Sequence, residues 1–132
     1  MRLLAAREHS RAELERKLAP HAQEPEELSR ILDELQAKGF ISEQRVLESV
    51  LHSRAARFGS ARIAHELNLR GLNPQSIHQA LSELQGTELD RARALWLRKY
   101  KEASTDPRER ARQIRFLMGR GFSPEVARKV TG

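Results

Sequence analysis

One eight-residue pattern occurs twice in this chain, fifty residues apart, and it restricts the fold more than any other feature. Residues 67–74 read Leu-Asn-Leu-Arg-Gly-Leu-Asn-Pro, and residues 117–124 read Leu-Met-Gly-Arg-Gly-Phe-Ser-Pro. Glycine favours the left-handed conformation that ends a helix, and a basic residue before it meets the negative end of the helix dipole. Asn or Ser followed by Pro begins the next helix. A helix end joined to a helix start at this period predicts a helical-repeat protein.

The remaining segments follow helical rather than strand periodicity. Ser10 and Glu13 form a capping box, and Pro25, Pro74 and Pro124 each open what we interpret as the third helix of a unit. A unit of roughly 45 residues buries too little apolar surface to be stable alone, so the units should stack. We therefore predict an all-α fold, an elongated tandem array of three three-helix repeats with helix-turn-helix-like units, at residues 1–41, 42–86 and 87–132.

Individual helices carry further predictions about caps and buried faces. A short helix is expected at residues 1–7, and Ser60 is expected to cap the helix that follows it. Phe116 falls off the apolar stripe of its own helix, so we expect it to pack against a neighbouring unit. Two stripes at helical spacing are expected to face the core, and their members are Leu28, Ile31, Leu32 and Leu35 in one helix and Ala111, Ile114, Leu117 and Met118 in another.

The charge of the chain is distributed unevenly along its length. The net charge is +6, but residues 1–51 carry a net −2, residues 52–90 a net of zero and residues 91–132 a net +8, with 12 Lys and Arg against 4 Asp and Glu. An anionic partner would therefore act mainly on the last third. There is no cysteine, no apolar run long enough to span a membrane and no signal peptide, so the cytoplasm is the expected location.

Residue types that carry out catalysis or bind metals do not form a recognisable pattern. No two of the five histidines stand at helical spacing, and His65-Glu66 lacks the second His of a zinc protease motif, since Leu69 stands there. The glycines end helices and form no phosphate-binding loop. We therefore predict that the chain is not an enzyme and has neither a metal nor a cofactor.

Basic residues are the remaining candidates for contact with a partner. Arg108, Arg112 and Arg115 recur at helical spacing and predict one exposed stripe. Arg54 lies within an apolar stripe and is expected to pair with Glu66. The other candidate residues for partner or DNA binding are Arg57, Arg62, Arg70, Arg98, Lys99, Lys101 and Arg120.

Trp96 and Tyr100 stand beside the cluster of Arg98, Lys99 and Lys101. An aromatic residue among basic residues could stack on nucleobases. A spacing of four residues between two aromatics is more typical of a buried helix face. Both interpretations stay open from the sequence, and we favour the buried one.

Four segments in order carry a resemblance to a known family. They are residues 7–18, with Arg-Glu-His-Ser and Glu-Leu-x-x-Lys-Leu; residues 35–41, with Leu and Gly-Phe-Ile; residues 57–71, with Arg-x-Gly, Arg-Ile and Glu-Leu-x-x-Arg-Gly; and residues 115–122, with Arg-Phe-Leu-x-x-Arg-Gly-Phe. Along nearly its whole length the chain resembles the RecX family of recombinase regulators. Against that family the chain begins close to the first motif, and a start further upstream is left open.

The resemblance implies a fold and a function. Family members are three tandem three-helix repeats, and they regulate the bacterial recombinase RecA. The resemblance therefore implies a cytoplasmic modulator that lies in the helical groove of the RecA filament on single-stranded DNA. We expect the protein to be a monomer. It implies inhibition of the RecA ATPase and of strand exchange, which modulates recombinational repair and the SOS response. Contact with single- or double-stranded DNA alone is expected to be weak and sensitive to salt.

Two other functions remain as alternatives. Three-helix units resemble helix-turn-helix modules, so the chain could bind DNA directly through Asn68, Gln75 and Gln79. Alternatively, the repeats could form a scaffold for another protein, with the basic last third merely solvated. The spacing of residues does not separate these alternatives.

Overall fold

The computed structural model describes residues 9–132, and within that range the chain is helical with no β-strand. The prediction of an all-α fold is confirmed. The helix expected at residues 1–7 lies outside the described residues. A short 3₁₀ turn, Ala19–His21, follows the first helix, and the described helices are α1 (Arg11–Leu18), α2 (Pro25–Ala37), α3 (Glu43–Arg54), α4 (Ser60–Leu69), α5 (Pro74–Gln85), α6 (Glu88–Tyr100), α7 (Pro107–Gly119) and α8 (Pro124–Thr131).

Polar side chains satisfy the free amides at most helix starts. The Ser10 hydroxyl accepts from the amide of Glu13, whose carboxylate accepts from the amide of Ser10, so the predicted capping box is present. Asn73 and Ser123 cap α5 and α8, each with a proline at the first helical position. Short-range sequence signals therefore set these helix boundaries.

The buried apolar residues form three separate clusters in chain order. Each cluster is built from consecutive helices, as expected for a repeat protein whose units have small cores of their own. The members of the first are Leu14, Leu32 and Ile41; those of the second are Val46, Leu47, Val50, Ile63, Leu67, Leu72, Ile77 and Ala80; and those of the third are Ala92, Leu95, Trp96, Leu117, Phe122, Ala127 and Val130.

Three predictions about buried faces were wrong. Ile31 and Met118 are 43% and 44% exposed, so they lie at the edges of their stripes rather than in the core. Phe116 packs inside its own unit, edge-on to Tyr100 with the ring centroids 5.7 Å apart. The third core also contains a polar residue. The buried Gln113 accepts a hydrogen bond of 2.9 Å from the indole N–H of Trp96.

The two copies of the Leu-x-x-Arg-Gly pattern lie where one set of helices meets the next. The first copy joins α4 to α5 and lies against the start of α1, a contact that we call the first joint. There the Ser10 hydroxyl donates to the carbonyl of Arg70, and Arg16 donates to the carbonyl of Leu69 at 2.7 Å. Two carbonyls at the end of α4 are thus satisfied by side chains of α1 and of its cap, Ser10.

The second copy repeats this arrangement, in what we call the second joint. It joins α7 to α8 and lies against the start of α4. The amide of Gly59 donates to the carbonyl of Arg120 at 2.7 Å, and Arg62 donates to the carbonyl of Gly119 at 3.3 Å. Two equivalent carbonyls are therefore satisfied at both joints, by a Ser hydroxyl and an Arg at the first and by a Gly amide and an Arg at the second.

Glycine is required at each joint for two reasons. Gly71 and Gly121 have φ angles of +72° and +93°, which residues with a Cβ rarely adopt. A Cβ on Gly71 would lie 2.6 Å from the Cβ of Ala12, and one on Gly121 would lie 2.6 Å from the Cβ of Arg62. The glycine that ends each helix also provides the space for the neighbouring helix start.

We expect Gly121→Ala to destabilise the protein more than Gly39→Ala. Both glycines have positive φ, so each substitution costs about 1 kcal/mol in backbone strain. Of these two positions, only at Gly121 would an added Cβ clash with a neighbouring residue, since nothing lies within 4 Å of a Cβ on Gly39. An additional loss of about 1–3 kcal/mol is expected for Gly121→Ala, by overpacking. Urea denaturation measures both changes, and equal losses would contradict a tightly packed second joint.

Candidate functional site

Five of the predicted basic residues meet on one surface at the second joint. They surround two aromatic side chains, Phe58 in the turn after α3 and Phe116 on α7. We call this set the junction surface, and its members are Arg57, Phe58, Arg62, Arg98, Lys99, Phe116 and Arg120. Residues that are distant in sequence form it, because the joint brings the end of α7 against the start of α4.

Three guanidinium groups lie near the ring of Phe58. The central guanidinium carbon lies 4.4 Å from the ring centroid for Arg62, 5.7 Å for Arg120 and 5.9 Å for Arg57. Cations at such distances are attracted by the quadrupole of the ring. Phe58 therefore holds positive charges from both sides of the joint close together.

Two cations lie near the ring of Phe116. The Lys99 ammonium lies 4.1 Å from its ring centroid, and Arg120 lies 5.3 Å from the same ring. Arg98 is anchored beside them by a hydrogen bond of 3.0 Å to the carbonyl of Ala56. Because Arg120 lies near both rings, it links the two groups of cations into one surface.

The five cations of the junction surface are not neutralised by carboxylates. Among the described residues, no Asp or Glu oxygen lies within 4.0 Å of the charged nitrogens of these five side chains. Positive charges held close together without counter-charges attract anions. The surface has the chemistry of an anion-binding site.

Two arginines of α3 and α4 have structural contacts instead. Arg54 pairs with Glu66 at 3.0 Å, so the predicted pair is confirmed. Arg70, one of the predicted contact residues, lies at the first joint, where its guanidinium is 3.5 Å from Glu66 and 3.8 Å from Glu13. Glu13 is buried, and Arg70 is largely covered. The Arg70 side chain is therefore already paired with two carboxylates.

The remaining predicted residues lie outside the junction surface. Arg108, Arg112 and Arg115 are exposed along α7, and Arg112 pairs with Glu109 at 3.2 Å. Lys101 follows α6 with a positive φ of 69°, an uncommon conformation for a residue with a side chain. The buried Trp96 offers no free ring face, which agrees with the favoured prediction that it belongs to the core.

Sequence reasoning missed two residues that position the junction surface. Ser60 was expected to cap α4, but the helix begins at Ser60 and Gly59 has no side chain to cap it. Glu88 of α6 supplies the cap, since its carboxylate accepts from the amide of Ser60 at 3.0 Å and from its hydroxyl at 2.9 Å. The signal available in the sequence was a glycine at a cap position, which leaves the helix amides without a local partner.

Arg91 is the second residue that sequence reasoning missed. Its Nη1 donates to the carbonyls of Ala55 at 2.7 Å and Phe58 at 2.8 Å, so it fixes the turn that carries Phe58. Burial lowers the pKa of Arg91, and the nearby charge of Glu88 opposes that shift. An arginine remains protonated in any case, so Arg91 acts as a permanent cationic donor beneath the surface.

No metal or membrane site emerges from the part of the chain that the structure describes. In residues 9–132, no three His, Cys, Asp or Glu side chains are grouped so that they could hold a metal ion. None of the helices described is long and apolar enough to cross a bilayer. The junction surface is the candidate site for contact with a partner.

These features define a class of protein: an all-α helical-repeat protein with a basic surface assembled at the joint between two sets of helices. Comparison with known proteins narrows the class to one family. A sequence model described as "RecX, third three-helix domain" matches residues 87–131. The Regulatory protein RecX of Leptothrix cholodnii is 56% identical over 130 residues, which cover 98% of this chain and 83% of that protein. The chain belongs to the RecX family.

Further relatives agree with this assignment. The Regulatory protein RecX of Ralstonia nicotianae is 43% identical over 127 residues, covering 96% of this chain and 80% of that protein. The crystal structure of RecX from Lactobacillus salivarius superposes with a TM-score of 0.79 at 18% identity, covering 98% of this chain and 87% of that one. A second crystal structure of a regulatory protein RecX gives a TM-score of 0.75 at 21% identity, covering 97% and 67% of the two chains. At such low identity, these structures support the fold alone.

We expect Arg91→Met to destabilise the protein, since the carbonyls of Ala55 and Phe58 would lose a charged donor. A buried acceptor left without a partner costs about 1–3 kcal/mol. Arg93→Met is the matched control, because Arg93 lies on the same helix and is exposed. Thermal unfolding followed by circular dichroism measures both variants. If Arg91→Met melted with the Arg93→Met control, Arg91 would have no role in fixing the turn.

Proposed function

We propose that this protein binds the RecA recombinase filament in its helical groove and inhibits the RecA ATPase and strand exchange. By doing so it would modulate recombinational repair and the SOS response. The observation that carries the proposal is the junction surface: five cations without carboxylate partners, in a chain that belongs to the RecX family. The groove of a nucleoprotein filament presents DNA phosphates and protein side chains together, and such a partner matches a basic surface.

The helical repeats suit this role because each unit has its own core. We propose that residues 1–41, 42–86 and 87–132 act as three three-helix repeats, held in fixed order by the joints. The last repeat carries 12 Lys and Arg against 6 Asp and Glu, a net charge of +6. The stripe of Arg108, Arg112 and Arg115 on α7 would then add a second basic contact to the junction surface.

The proposal treats binding to naked DNA as a minor activity. Electrostatic contacts with DNA phosphates weaken steeply as salt rises, and a protein with six to ten such contacts loses about 10³–10⁵ in affinity between 50 and 200 mM salt. The five cations of the junction surface make fewer such contacts than that, and their contribution to affinity also weakens as salt rises. Tight binding at physiological salt therefore needs contacts with the RecA subunits of the filament. In this proposal the RecX-family chain acts as a monomer in the cytoplasm.

Titration of a RecA filament tests the proposal directly. We expect the ATPase rate on single-stranded DNA to fall when this protein is added at substoichiometric ratios. One molecule in a groove contacts several recombinase subunits, so fewer molecules than subunits suffice. A gel-shift comparison of RecA-coated and naked DNA separates filament binding from direct DNA binding. An unchanged ATPase rate at every ratio would refute the proposed function.

Substitutions on the junction surface should weaken inhibition. We expect Lys99→Ala together with Arg120→Ala to raise the concentration for half-inhibition by about tenfold, which corresponds to roughly 1.4 kcal/mol. Arg30→Ala together with Lys38→Ala is the control, because both residues are exposed on or beside α2 and the change in net charge is the same. Equal loss in both double variants would mean that net charge alone, rather than this surface, determines binding.

The stripe on α7 separates the proposal from the scaffold alternative. Arg108→Ala, Arg112→Ala and Arg115→Ala in one variant should weaken ATPase inhibition if the last repeat faces the filament. Inhibition by this triple variant at the wild-type level would indicate that the stripe is only solvated. A normal circular dichroism spectrum is the necessary control, because Arg112 is paired with Glu109.

A further inference from the structure

The cations of the junction surface form a row across the second joint. Arg62 and Arg120 share the ring of Phe58, and Arg120 and Lys99 share the ring of Phe116. Two cations beside the same ring are therefore no further apart than the sum of their distances to its centroid. The row begins on α4 and ends on α6, so it belongs to both sides of the joint.

A row of charges fits an anion whose own charges repeat along a line. A phosphodiester backbone carries one negative charge per nucleotide, and guanidinium groups bind phosphate oxygens with two parallel hydrogen bonds. Four of the five cations are arginines. Cations lie near both rings, so they compete with bases for the ring faces. The charged groups of the surface suit contacts with phosphates.

We propose that the junction surface binds the phosphodiester backbone of single-stranded nucleic acid, independently of base sequence, and only when the second joint is closed. The inference rests on the proposed function for its biological ligand, the DNA strand within the filament. It adds the chemistry of the contact and its dependence on the joint. An acidic protein segment is the competing partner for such a surface, and the test includes it.

Dependence on the joint follows from which residues carry the row. Arg57 and Arg62 belong to the segment around α4, while Arg98, Lys99 and Arg120 belong to α6 and the end of α7. The carbonyl of Arg120 also accepts the bond from Gly59 that closes the joint. Opening the joint would separate the row into two groups of fewer charges. Phosphate binding and closure of the joint should therefore favour each other.

The experiment measures binding of a short fluorescent oligo(dT) to the full chain at several salt concentrations, without recombinase. Five phosphate contacts predict that log K falls with log[salt] with a slope of about −3.5, at roughly −0.7 per contact on a single strand. Lys99→Ala with Arg120→Ala should flatten the slope by about 1.4. The control pair, Arg30→Ala with Lys38→Ala, should leave the slope unchanged.

Two further arms identify the ligand chemistry. An oligonucleotide of the same length with abasic sites keeps its phosphates, so we expect it to bind as well as oligo(dT). Oligo(dT) should also displace a polyglutamate peptide of equal length from the surface. Loss of binding to the abasic strand, or tighter binding of polyglutamate, would overturn the inference in favour of base stacking or of an acidic protein partner.

Gly121→Ala tests the role of the joint without changing any charge. We expect the salt dependence of log K for this variant to flatten by about as much as in the Lys99→Ala, Arg120→Ala double variant. Gly39→Ala should bind like the wild type. A wild-type slope for a folded Gly121→Ala protein would overturn the dependence on the joint. These results are independent of the ATPase titration. Inhibition without the predicted slopes would refute only this inference, and the predicted slopes without inhibition would refute only the proposed function.

Discussion

Close approach of two backbones at each joint is the constraint on which the rest of this structure depends. A helix end has carbonyls without partners, and here the start of an earlier helix satisfies them. The approach is close enough that Gly71 and Gly121 leave no room for a Cβ. Because the small cores of the clusters are separate, these polar contacts fix how consecutive sets of helices are placed. The junction surface exists only as a result of that placement.

Much of the fold could be predicted from the sequence because its signals are local. The cap at Ser10, the helix starts at Pro74 and Pro124 and the repeated glycine each depend on residues a few positions apart. The burial of Gln113 could not be predicted, since it depends on the position of Trp96 seventeen residues earlier. Helical spacing shows which residues lie on the same face of a helix. It does not show whether a neighbouring helix covers that face at each residue, as the exposed Met118 demonstrates.

The candidate site was predictable as a set of residue types and not as an arrangement. Charge counting selected ten basic residues, but it could not show that five of them meet around Phe58 and Phe116. Nor could it show that Arg70 is occupied by two carboxylates at the other joint. The contributions of Glu88 and Arg91 were missed because each acts on a backbone group about thirty residues away. Long-range polar contacts of this kind leave no periodic trace in a sequence.

The repetition of the joint also limits how such a protein can change over evolutionary time. Gly121 fits against Arg62, and the carbonyl of Arg120 bonds to Gly59, so the matching halves of one contact are encoded about sixty residues apart. A repeat copied or exchanged by recombination of its gene would bring only one half of each match. Tandem duplication, an easy route to longer solenoids, would therefore succeed here only if both halves were inherited together.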